Sequence, residues 1–248
     1  MNKHLQTLLL YWLLLLLPPL CLYCSNVSLF PLMDLTRPAA DFLYWITMSG
    51  TRPWGLLSAG LILLLSAWQL PARQRPVMLL CVGSALLLNL LASHLLKQLF
   101  AEPRPYVEYL YQHGLVDIEA FYQASRPQRQ LLLQPLQSAQ LAFPVSPEVL
   151  RHWQFETGYA FPSGHTLFAC TLSLGCSVFL LPQHKLLPLL LLGWCWLLGL
   201  SRMLLGMHWP ADVLASSLIA ALLIGLCCWG YQRIYGRATT ACQAPSRH

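Results

Sequence analysis

Residues 186–212 read LLPLLLLGWCWLLGLSRMLLGMHWPAD, and from Leu186 to Leu200 they carry no charged side chain. An amphipathic helix of a soluble protein would show an apolar stripe and a polar face, whereas here the apolar residues go all the way round. At ~1.5 Å per residue, a run continuing to Gly206 is close to the ~30 Å of a bilayer core. Its far end holds Ser201-Arg202, followed by His208 and Asp212. The stretch therefore reads as a membrane span with titratable groups gathered at one surface.

Similar apolar runs lie at about 5–24, 55–71, 76–100, 162–181 and 211–232, with 186–206 as the fifth of six in chain order. In lipid every backbone N–H and C=O must be paired internally, so each run is expected to be helical. Pro71, Pro76, Pro103, Pro105, Pro162, Pro182, Pro188 and Pro210 punctuate the joints. The expected fold is an all-α integral membrane protein with six transmembrane helices. Composition agrees: of 248 residues 56% are hydrophobic and only 10% charged, against roughly 25% charged in an ordinary soluble domain. One water-soluble core of this size could not bury so much apolar surface. The net charge of +6 is scattered among leucines without a dense basic tract, which argues against a nucleic-acid partner.

The first run extends uncharged from His4 to Tyr23 and offers no small-residue cleavage site at Pro18-Pro19-Leu20-Cys21, so it reads as a retained span rather than a signal peptide. The nine cysteines sit almost entirely in apolar runs and read as packing residues. Cys21 and Cys24 lack a second Cys/His pair to complete a metal site.

Alternating sidedness puts Lys3, Arg73, Arg75, Lys185, Arg233, Arg237 and Arg247 on one side without an acid among them. By the positive-inside rule that side, with both termini, is cytoplasmic. Segment 25–54, the stretch 101–161 and the joint 201–210 face the other way. The stretch 101–161 is too long for a plain connector and is rich in aromatics, so interfacial helices are expected in it. Ser146-Pro147-Glu148 opens one of them, with serine as N-cap and proline in the first turn. The tail from Ala238 onward is expected to be disordered.

Lys97 closes the third run and Arg104 follows it. Pro162-Ser163-Gly164-His165 opens the fourth, and Arg202, His208 and Asp212 link the fifth to the sixth. Topology alone brings these groups to one membrane surface. Lys97, Arg104 and Arg202 would repel one another unless an anion joins them, and a phosphomonoester supplies about −1.5 to −2 charges with several acceptor oxygens. Ser163 and Gly164 sit at a helix start, where free N–H groups favour anions. Asp212, one turn beyond His208, can fix its tautomer and leave the other ring nitrogen to attack phosphorus. His165 suits protonation of the leaving alkoxide. The ligand types of His165, His208 and Asp212 permit a metal, but three adjacent cations disfavour a divalent ion, so no metal or other cofactor is expected. Elsewhere, Asn89 reads as interhelical hydrogen bonding, His94 as a packing or hydrogen-bonding group and Trp209 as an aromatic-belt residue. His113, His152 and Glu156 read as solvated loop residues.

Lys97-x6-Arg104-Pro105, Pro162-Ser163-Gly164-His165 and Ser201-Arg202-x5-His208-x3-Asp212 resemble the tripartite signature of the type 2 phosphatidic acid phosphatase (PAP2) superfamily, in the expected order. Glu102-Pro-Arg-Pro, His152-Trp-Gln, Glu156-Thr-Gly and Leu205-Gly-Met-His-Trp-Pro extend the likeness to a bacterial branch. The resemblance implies that residues 1–248 form one such domain in a bacterial inner membrane, its site periplasmic. It implies His208 as a nucleophile forming phosphohistidine, Asp212 as its orienting group and His165 as general acid. Lys97, Arg104, Arg202, Ser163 and Gly164 would bind the phosphate, without a metal. Implied substrates are phosphatidylglycerol phosphate, phosphatidate, diacylglycerol pyrophosphate and undecaprenyl pyrophosphate. The rivals are a phosphotransferase acting on lipid A and, from another class, a lipid transporter, whose ionisable groups would sit nearer the bilayer midplane.

Overall fold

A computed structural model of the chain describes residues 3–36, 38–137 and 145–241. Among these the regular elements are helical: α1 (Lys3–Cys24), α2 (Pro38–Met48), α3 (Trp54–Gln69), α4 (Arg75–Phe100), α5 (Pro105–Gln112), α6 (Ile118–Gln123), α7 (Arg126–Leu133), α8 (Pro147–Phe155), α9 (Gly164–Leu180), α10 (Leu186–Leu204) and α11 (Pro210–Ala241). A 3₁₀ turn follows α7, and a single isolated bridge pairs Leu35 with Val145.

The apolar runs are α1, α3, α4, α9, α10 and α11. By length and composition α1, α4, α10 and α11 can each cross a membrane, while α3 and α9 are apolar but shorter, at 16 and 17 residues. Helix α9 is the hub, packed against α3, α4, α10 and α11, with α1 closing the bundle against α10 and α11. Close approach at the hub depends on Gly175, where an added Cβ would lie 2.7 Å from Val82 and 3.1 Å from Ile224. The outer faces remain apolar, with Leu57, Leu64, Leu87, Leu91, Leu190 and Leu222 all exposed. Such a belt marks a surface that meets lipid rather than water. Over its described residues the protein is an all-helical membrane protein.

A second apolar cluster forms a cap at one end of the bundle, built from Phe30, Leu35, Tyr106, Phe121, Leu133, Trp153, Leu205 and Met207. Trp153 stacks on Tyr106 with ring centroids 4.8 Å apart and donates its indole N–H to Leu205 O at 2.9 Å. Helix α8 begins as its sequence suggests, with Ser146 Oγ accepting from Val149 N. Helix α2, inside the segment 25–54, had no counterpart in the sequence reading; it packs against α8 and α10.

Several expectations need correction. Helix α11 is described as far as Ala241, and the rest of the tail expected from Ala238 onward, residues 242–248, lies outside the described residues. Cys21 and Cys24 are exposed rather than packed, and His94 lies exposed on α4. Trp209 is a tie within the cap, donating its indole N–H to Pro103 O at 3.0 Å. Asn89 does bridge helices, donating to Thr171 Oγ1.

Candidate active site

Each of the three sequence blocks is positioned by a helix end. Helix α4 delivers Lys97 in its last turn and stops at Ala101, which is in the left-handed region with φ 44°. Its ammonium donates to Tyr159 O at 2.6 Å and Ala160 O at 3.4 Å. Arg104 is the N-cap of α5 and is buried, with Nε donating to Gly158 O at 2.6 Å and Nη1 to Met207 O at 3.2 Å. The segment 158–160 thus holds both cations through its carbonyls.

Ser163 caps α9: its hydroxyl accepts from Thr166 N at 3.4 Å, and its own N–H goes to Ser216 Oγ at 2.8 Å. His165, in the first turn of α9, places Nε2 2.7 Å from Thr51 Oγ1 and 3.6 Å from Glu156 Oε1. The Thr51 hydroxyl donates to Thr47 O. With its one proton committed there, it can only accept from His165, so Nε2 is the protonated nitrogen.

The turn between α10 and α11 depends on Gly206, at φ 71° and with the Phe30 ring 2.8 Å from where a Cβ would stand. It sets His208 against the first turn of α11, where Nδ1 lies 3.4 Å from Asp212 Oδ2. The same carboxylate oxygen accepts from Trp209 N at 2.8 Å, which orients it. A contact of 3.4 Å is long for a hydrogen bond. With Nδ1 facing the carboxylate, Nε2 of His208 is left for chemistry. Burial, then the charges of Arg104, Arg202 and Lys97, hold His208 well below the usual histidine range, so its ring is neutral.

Lys97, Arg104, Gly164, His165 and His208 line one cavity of about 420 Å³. Its walls continue as Leu56, Ala59, Leu86, Leu90 and Phe168, an apolar groove between α3, α4 and α9. Of the remaining expected residues, Arg202, Ser163 and Asp212 are fully buried behind this surface. A cavity that is cationic at one end and apolar along the other suits an amphiphile with an anionic head.

Two residues read from sequence as solvated belong to the site. Glu156 Oε2 meets Arg202 Nη2 at 2.5 Å and Arg104 Nη1 at 3.4 Å, and it lines the cavity. Burial pushes its carboxyl up, but Arg202, His165, His152 and Arg104 together hold it well below the usual carboxylate range. His152 is buried and accepts from Arg202 Nη1 at 2.6 Å, which requires a neutral Nε2. Burial, with Arg202 and Arg104 adding to it against Glu156, lowers this histidine to about 4. The signal was available: His152 and Glu156 are one turn apart on a helix with a legible start, and the cations called for an anion. His113 is exposed, as expected.

The sequence profile of the PAP2 superfamily matches residues 78–235. The chain is 35% identical over 201 residues to phosphatidylglycerophosphatase B of Escherichia coli (strain K12), covering 79% of this chain and 78% of that protein. It is 33% identical over 222 residues to phosphatidylglycerophosphatase B of Haemophilus influenzae, covering 86% and 90%. A shorter match, 36% over 73 residues, covers 26% of this chain and 30% of an undecaprenyl-diphosphatase of Sulfolobus acidocaldarius.

Proposed function

The chain belongs to the PAP2 superfamily and is a lipid phosphatase, and from that premise we propose that it hydrolyses phosphomonoester and pyrophosphate headgroups through a phosphohistidine on His208. Phosphatidylglycerol phosphate is the first substrate to test, with phosphatidate, diacylglycerol pyrophosphate and undecaprenyl pyrophosphate beside it. The observation that carries this reading is the shared cavity, in which His208, His165, Lys97 and Arg104 face one space continuous with an apolar groove.

In the proposed reaction His208 Nε2 attacks phosphorus in line with the lipid oxygen while the cations hold the equatorial oxygens. Lys97 and Arg104 reach the phosphate from the cavity wall, with the α9 start at Gly164 supplying N–H groups; the Ser163 N–H is held by Ser216 Oγ, so Ser163 serves as the cap of that helix. Arg202 contributes its charge from behind; its Nε has no hydrogen-bond partner among the described residues. With the phosphate dianion bound beside it His165 takes up a proton from solvent, and as the P–O bond breaks the imidazolium gives a ring proton to the departing alkoxide. The deprotonated ring then takes a proton from water, whose oxygen attacks the phosphohistidine and releases inorganic phosphate. Asp212 keeps the His208 ring oriented and balances its charge. No step needs a metal, so EDTA leaves the rate unchanged; a loss restored by a divalent ion would count against the scheme.

For placement we propose six spans, α1, α3, α4, α9, α10 and α11, in one domain. The cap lies at the periplasmic interface of a bacterial inner membrane, and both termini are cytoplasmic. The distribution of basic residues supports that orientation. The deciding experiment measures phosphate release from the four lipids by purified protein, with labelled substrate quenched to trap phosphoprotein. An acid-labile, base-stable label that disappears in His208→Ala is expected. Full turnover by His208→Ala would remove the nucleophile.

A further inference from the structure

The cations assigned to the reacting phosphate leave one cavity-lining cation unused. Arg52 lies in the turn between α2 and α3 and lines the same cavity as Lys97 and His208. This turn has little freedom. A Cβ on Gly50 would stand 2.9 Å from Leu198 Cδ1 and 3.0 Å from His165 Cδ2, and one on Gly55 would stand 2.9 Å from the Gly50 backbone. Gly50 N donates to Thr47 O, Thr51 N to Met48 O, and Gly55 N to Thr51 O at 2.7 Å. The backbone of Arg52 is thereby fixed next to Thr51, whose hydroxyl touches His165. Its side chain is exposed and makes no hydrogen bond or ion pair among the described residues.

Arg52 occupies a defined place between head and tail. One turn further on, Leu56 begins the apolar wall that Ala59 continues. A lipid with its reacting phosphate at Lys97 and His208 and its tails along that wall must pass its linking region by Arg52. A one-phosphate lipid presents neutral ester groups there. A two-phosphate lipid presents a second anion, separated from the first by a bridging oxygen or by a glycerol. A guanidinium on a long stem can follow either and bind bidentately.

We propose that Arg52 is a specificity-determining residue that binds the non-reacting phosphate of two-phosphate lipids. The inference rests on the lipid phosphatase reading above and deepens it. Its loss would change the ratio between substrate classes rather than the chemical step, because it touches neither reacting histidine.

The test compares the full chain with Arg52→Gln and Arg52→Lys on diacylglycerol pyrophosphate, phosphatidylglycerol phosphate and phosphatidate. Two readouts are taken: kcat/KM, and binding of the same lipids in a His208→Asn background. Arg52→Gln is expected to lower the preference for two-phosphate lipids by about tenfold, the scale of one charge-assisted contact, with Lys keeping part of it. An unchanged ratio in the binding assay, or an equal loss on all three lipids, would overturn the assignment of Arg52. Absence of turnover by the unaltered protein would instead overturn the phosphatase reading, and the binding ratio would still decide on Arg52.

Discussion

Arg202 Nη2 lies 2.5 Å from Glu156 Oε2, with the arginine side chain fully buried and the glutamate only 15% exposed. The anion that joins these cations is therefore the protein's own. Arg104 shares the same oxygen at 3.4 Å, and His165 faces the other carboxylate oxygen at 3.6 Å. Glu156 links both arginines to His165.

Removing Glu156 should therefore cost both stability and rate. Glu156→Ala leaves a buried guanidinium unpaired, a change of about 3–5 kcal/mol. A lowered thermal midpoint in detergent and a fall in kcat are expected. In Arg202→Ala/Glu156→Ala part of the stability returns without the activity, as a double-mutant cycle would register. Additive losses would mean that the two side chains do not act as a pair.

Acid should destabilise the cap in two stages. His152 is lowered from an ordinary 6.5 to about 4 when folded, so the unfolded chain binds its proton first. Stability is at its fullest above about 6.5 and falls as pH drops toward 4, by up to about 3 kcal/mol. His208, also held low, adds in the same direction. Glu156 follows, its stabilisation being lost as pH falls below the ordinary carboxylate value. Unfolding midpoints between pH 7 and 4 should show this slope, shallower between 6.5 and 4.5 in His152→Asn. A slope identical in the variant would detach it from His152.

The role of His165 is separable by leaving group. A lipid alkoxide needs a proton as it departs, whereas a phosphate leaving from a pyrophosphate lipid is stable without one. His165→Ala should reduce turnover of phosphatidate by about 10²–10⁴-fold and that of a pyrophosphate lipid by less than about tenfold. Equal losses on both would assign His165 to holding the phosphate or to hydrolysis of the phosphoenzyme.

The membrane helices were legible because apolar length is a local property: 76–100 was expected and Arg75–Phe100 is found. The three blocks were legible because charges at the ends of such helices stand out. Helix α2 was not, since it is short and only Ala40 and Leu43 of its apolar residues bury, on the face that meets α8 and α10 in a cap whose packing is non-local. His152 and Glu156 were misread for the same reason. A polar residue in a long connector is solvated unless the connector folds back, and only the Trp153–Tyr106 stack and the Arg202 pairing show that this one does.

Two glycines beside the site should fail in opposite ways. A Cβ on Gly164 would find only Ser93 Oγ, at 3.8 Å, and alanine is the better helix former by up to about 1 kcal/mol. Gly164→Ala should therefore fold with an equal or higher thermal midpoint. Its methyl group, at the cationic end of the cavity, would stand where phosphate approaches the helix start, so KM should rise about tenfold, the cost of one obstructed charge-assisted contact. Gly50→Ala puts a methyl 3.0 Å from His165 Cδ2 and 2.9 Å from Leu198. The histidine must shift away from Thr51, so kcat should fall while KM changes little. Should Gly164→Ala instead lower stability and leave KM untouched, the start of α9 would be a packing feature, and the phosphate would have to bind elsewhere in the cavity.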